Sequence, residues 1–161
     1  MWPRHRQQGM FRFAADLHPC THLSTTPDME LSGINLLAVL VAALSSFLVG
    51  GLWYSTMLFG KSWMRENGLR EEDVASGTGR IFGATFVLSL IIALNLAAFL
   101  GSEATLGFGL AAGAAAGIGW VATALGILYL FERRSWRLFA INAGYHAVTF
   151  TLMGGILGFW H

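Results

Sequence analysis

The chain has 161 residues, 55% of them hydrophobic and only 12% charged, with a mean hydropathy of +0.57. Soluble domains carry about 25% charged residues, so this composition excludes a largely disordered chain and points to a membrane protein. Ten Lys and Arg against nine Asp and Glu, with no basic stripe, argue against a nucleic-acid binder, and the lone Cys20 excludes an internal disulfide and a cysteine-based zinc site.

Residues 1–28 are polar, carry Arg4, Arg6 and Arg12, and hold no apolar run of signal-peptide length. Met29 opens Met-Glu-Leu-Ser-Gly-Ile-Asn, which leads straight into the first apolar stretch. We therefore expect 1–28 to be a disordered or mis-assigned N-terminal extension and 29–161 to be the membrane domain. His18, Cys20 and His22 are metal-ligand types, but a tail of this kind does not preorganise ligands, so no metal and no cofactor is expected.

Four apolar spans follow, at about 34–57, 81–100, 106–131 and 138–160, none holding Asp, Glu, Lys or Arg. Each has the roughly 20 residues that a helix needs to cross a ~30 Å hydrocarbon layer. A soluble bundle of amphipathic helices needs a polar face on each helix. The stretch LLAVLVAALSSFLVGGLW is instead apolar all round, as is LGFGLAAGAAAGIGWVATALGILYLF. The lack of alternation also disfavours a barrel. The expected fold is all-α, an integral membrane bundle of four transmembrane helices.

The connections are short and polar. Loop one holds Lys61, Arg65, Arg70 and Arg80, with a helical turn expected at 69–74 and a flexible link at 76–79. Loop two, 101–105, holds no cation, and loop three holds Arg133, Arg134 and Arg137. The positive-inside rule puts loops one and three in the cytoplasm and both termini outside.

Several motifs together resemble one family. They are Asn35-Leu-Leu-Ala-Val at the start of span one, Trp53-Tyr54-Ser55 at its end, Phe59-Gly60-Lys61-Ser62-Trp63, Tyr129-Leu-Phe-Glu-Arg-Arg, and Asn142-Ala-Gly-Tyr-His146. They resemble the bacterial membrane family catalogued as domain of unknown function 1761, from about Ile34 to the C-terminus. Members often have Pro after Trp-Tyr-Ser, where this chain has Thr56. The resemblance implies a small multi-span protein of the bacterial inner membrane and supplies no activity.

Three sets of residues are candidates for a role. Asn142, His146 and Thr149 share one face of span four, and polar groups in hydrocarbon must find partners. Asn95, Thr123 and Ser45 or Ser46 are the expected partners, and the set is either a proton or ligand path or a structural hydrogen-bond network. Gly109, Gly113 and Gly117 form a small-residue stripe for close helix packing, either within the chain or between two copies. Trp53, Tyr54, Ser55, Lys61, Trp63, Arg133, Arg134, Trp136 and Arg137 read as an interfacial belt facing lipid headgroups, with Trp160 and His161 as the outer anchor. An alternative makes Tyr54 and Ser55 polar contacts at the mouth of a small-molecule site. No nucleophile–base set, paired carboxylates or di-metal spacing is present in the sequence, so the chain is not expected to be an enzyme. The expected function is a non-catalytic binding or accessory membrane protein, with the bilayer and a second copy or another membrane protein as partners. The alternative is a small-solute transporter or channel with a polar path near Asn142 and His146.

Overall fold

The computed structural model describes residues 33–75 and 78–160. The expectations for residues 1–28, for the link at Ser76–Gly77 and for His161 lie outside the described residues. The described elements are α1 (Leu36–Trp53), α2 (Gly60–Asn67), α3 (Glu71–Ala75), α4 (Thr78–Leu100), α5 (Leu106–Ala115), a π-helical stretch (Ala116–Ala122), α6 (Thr123–Phe131) and α7 (Trp136–Phe159). From α5 to α6 the chain runs on as one 26-residue helix, Leu106–Phe131.

Local chemistry sets the helix ends. Asn35 caps α1, its Oδ1 accepting from the backbone N–H groups of Leu37 and Ala38 at 3.0 and 3.1 Å. Ser135 caps α7 by accepting from Leu138 N–H at 3.1 Å. Gly68 ends α2 at φ +66°, a left-handed position that glycine takes without a Cβ penalty. The helix α2 replaces what the sequence suggested was loop. It forms because Trp63 turns inward against Tyr54 while Lys61 and Arg65 stay exposed, giving the short segment two faces.

Three helices are long and apolar enough to cross a membrane: Leu36–Trp53, Gly79–Leu100 and Leu106–Phe131. This is the mark of a multi-pass membrane protein. Their boundaries fall within a few residues of the expected spans. The fourth expected span coincides with α7, which has the length at 24 residues but is not among the helices apolar enough to cross a membrane. It contains Asn142, Tyr145 and His146, and its composition is less apolar than that of the other three.

The reason lies in its position. Helix α7 packs most extensively against α5, then against α1 and the π-helical stretch, and also touches α4. Its polar residues therefore meet protein. Toward the end that holds Asn35 and Leu100, Ala38, Val39, Ala42 and Ala43 of α1 pack with Ala93, Leu96 and Leu100 of α4 and Met153 and Leu157 of α7. Small residues on α1 let the three helices approach closely.

The closest approach is between α5 and α7. A Cβ on Gly109 would strike the Gly154 carbonyl, and a Cβ on Gly154 would strike the Gly109 carbonyl. Gly113 faces the Phe150 carbonyl, and Gly158 faces the Thr105 carbonyl and the Gly109 Cα. The stripe Gly109, Gly113, Gly117 thus packs inside the chain against α7, Gly109 on Gly154 and Gly158, Gly113 on Phe150 and Gly154, and Gly117 on His146, Ala147 and Phe150. It is not an exposed face.

Candidate functional site

Side-chain hydrogen bonds between helices cluster at the end of the bundle where α1 stops and α7 starts. Gly60 makes that corner possible, because a Cβ there would run into the carbonyls of Tyr54 and Ser55. The turn brings Trp53 and Tyr54 back over α7. The Trp53 indole N–H donates to the Ile141 carbonyl at 2.9 Å, and Phe59 stacks on the Trp53 ring at 4.8 Å. Tyr54 donates its hydroxyl to Asn142 Oδ1 at 2.9 Å. Asn142 Nδ2 donates in turn to the Tyr129 hydroxyl at 2.7 Å. Tyr145 donates to the Ser46 carbonyl at 3.3 Å and lies 5.3 Å from the Tyr54 ring.

The result is a chain of groups, Tyr54–Asn142–Tyr129, that ties α1, α6 and α7 together at one level.

The expected face of α7 exists, but its partners differ from those expected. His146 makes no side-chain hydrogen bond among the described residues. It packs edge-on between Tyr145 and Phe150, at 5.0 and 6.3 Å. Thr149 is buried, and its Oγ1 approaches the Tyr145 hydroxyl without making a hydrogen bond of normal geometry. Asn95 and Thr123 do not join the set. Each is exposed and bonds to its own helix, Asn95 to the Ile91 carbonyl at 2.8 Å and Thr123 to those of Gly119 and Trp120 at 2.5 and 3.0 Å. Short polar side chains satisfy themselves this way when no neighbour reaches them. Ser45 donates to the Ala42 carbonyl, and the Ser46 hydroxyl lies 3.1 Å from that of Ser89 on α4.

Tyr129 is the member that the sequence reading missed as a partner. The signal was its spacing: 13 residues before Asn142, on the other side of a tight helix–helix turn, where i and its partner face each other across the hairpin.

The interfacial belt is distributed round the same end. Ser55, in the turn after α1, donates to the Leu52 carbonyl of that helix at 2.7 Å, so its hydroxyl is already engaged. Trp63 packs edge-on to Tyr54 at 5.5 Å, and Trp136 lies exposed over Phe139 at 4.7 Å. Arg133 stands at φ +54°, and Arg134 pairs with Glu132 at 3.3 Å on the surface. Glu66 accepts from the Ser135 hydroxyl and lies 3.9 Å from Arg137, tying α2 to the start of α7.

Groups of three or more His, Cys, Asp or Glu placed to hold a metal do not occur among the described residues. The model of one family, described as "Protein of unknown function (DUF1761)", matches residues 37–158. No curated protein and no solved structure matches the chain.

Proposed function

The chain belongs to the DUF1761 family, whose function is unknown, and from that premise we propose that it is a non-catalytic binding or accessory protein that crosses a bacterial inner membrane four times. Helix α7 is the fourth span in this reading. Its 24 residues are long enough, and its polar groups are shielded by α1, α5 and α6. The distribution of Lys and Arg supports loops one and three inside and both termini outside. Association with a second copy or another membrane protein then uses a face other than the glycine seam.

The observation that carries the reading is the engagement of Asn142 by both Tyr54 and Tyr129. The most polar side chain of span four is held as a structural crosslink and is not left to line a path. His146, half-buried and without a hydrogen bond, is what favours the alternative of a solute or proton path.

Flux into proteoliposomes separates the two. The binding reading predicts proton and small-solute leak equal to that of protein-free vesicles, for wild type and for His146→Gln alike. Flux that appears with the wild-type protein and is lost in His146→Gln establishes a transporter instead.

A further inference from the structure

A groove of about 510 Å³ lies between α2 and α7, next to the aromatic corner. Ser62 and Arg65 reach it from α2, one helical turn apart. Arg137 reaches it from the first turn of α7. Trp53, Phe59 and Gly144 form its apolar wall. The wall is fixed in place: the Trp53 indole is bonded to Ile141, and a Cβ on Gly144 would stand 3.0 Å from the Trp53 ring.

Arg65 and Arg137 line this groove, which Lys61, Arg133 and Arg134 do not. Arg65 is exposed, and its guanidinium has no ion pair or hydrogen bond among the described residues. Arg137 has only Glu66, at 3.9 Å, and the Glu66 carboxylate is already held by Ser135. Two guanidinium groups and a hydroxyl over one rigid apolar wall match a ligand with a phosphate head and a hydrocarbon body.

We propose that this groove is a binding site for the phosphate group of an anionic membrane lipid. Arg65, Arg137 and Ser62 hold the phosphate oxygens, and the acyl chain lies along Trp53, Phe59 and Gly144. The site deepens the binding reading above and rests on it in one respect, that this end of the bundle sits at the membrane surface. Positive-inside orientation places it at the cytoplasmic leaflet, where anionic headgroups attract arginines.

The test is native mass spectrometry of the detergent-solubilised full chain, titrated with phosphatidylglycerol or phosphatidylcholine. A parallel titration with inorganic phosphate distinguishes a lipid site from a site for free phosphate. Wild type retains phosphatidylglycerol in preference to phosphatidylcholine. Arg65→Gln and Arg137→Gln each weaken that retention about fivefold. Arg70→Gln, which removes the same single charge from an exposed position of loop one outside the groove, leaves retention unchanged. Equal loss in Arg70→Gln means diffuse attraction to basic residues and overturns the site. Displacement of the lipid by millimolar inorganic phosphate overturns the lipid assignment. Helical circular dichroism of each variant shows whether it is folded, and Arg65→Lys, which keeps the charge but loses the fork, restores part of the retention. Failure here leaves the proteoliposome result untouched, so the two proposals stand or fall separately.

Discussion

Gly113→Leu unfolds the protein. The first atom of the new side chain meets the Phe150 carbonyl and the Thr151 Cα on α7, and backbone cannot rotate aside as a side chain can. Overpacking a well-packed site costs about 1–3 kcal/mol, and separating α5 from α7 along their length raises this to ~3 kcal/mol or more. Gly154→Leu, the opposing residue, has the same effect. Gly119→Leu is the control: nothing lies within 4 Å of a Cβ there, and stability stays within about 0.5 kcal/mol. The same series decides what the glycine stripe is for. On a face between two copies, Gly113→Leu yields a folded, dissociated monomer. Packed inside the chain, it yields loss of the cooperative thermal transition at every protein concentration. Thermal unfolding in detergent, with size-exclusion chromatography of each variant, reads the difference.

The second large effect is at Asn142. Replacement by Leu removes two hydrogen bonds and leaves the Tyr54 and Tyr129 hydroxyls without their common partner. We expect a loss of about 2 kcal/mol, since interhelical hydrogen bonds in membranes contribute roughly 0.6–2 kcal/mol each and an orphaned polar group adds its own cost. Tyr54→Phe and Tyr129→Phe keep their rings, and so keep the packing of Tyr54 on Trp63 and Tyr145, and each costs about 1 kcal/mol. In the Asn142→Leu background, both phenylalanine substitutions become neutral or slightly stabilising. That non-additivity is the signature of one shared network. Additive losses in the chemical-denaturation series contradict it.

Much of this architecture was legible from composition. Stretches such as LLAVLVAALSSFLVGGLW are apolar on every side, and only lipid or a protein interior accommodates that. Helices α1 and α4 and the long helix 106–131 follow directly. The small-residue spacing Gly109-x-x-x-Gly113 announced a close contact, but spacing on one helix says nothing of the partner. The partner is Gly154-x-x-x-Gly158, a second stripe read only as part of a hydrophobic span.

The candidate site was half legible. Asn142 stood out because an amide in hydrocarbon demands a partner. The partners expected were the other short polar residues in the spans, Asn95, Thr123 and Ser45 or Ser46, whose side chains bond to their own helices or, for Ser46, also to Ser89 instead. The true partners are tyrosines, whose hydroxyls stand at the far end of a ring and so connect helices that short side chains cannot. Tyr54 and Tyr129 had been placed in the interfacial belt and the family signature, where their rings explain them without invoking their hydroxyls. Helix α2 was hidden because eight residues give too short a window for periodicity against a charged background.

With α7 crossing the bilayer as a fourth span, loops one and three lie on one side and loop two with the C-terminus on the other. In a Cys20→Ser background, single cysteines at Ser102, Arg134 and His161 test this with a membrane-impermeant thiol reagent on intact cells. Ser102→Cys and His161→Cys react at once, whereas Arg134→Cys reacts only after permeabilisation. Labelling of His161→Cys on the same side as Arg134→Cys contradicts the fourth span, and labelling of Arg134→Cys from outside contradicts the orientation.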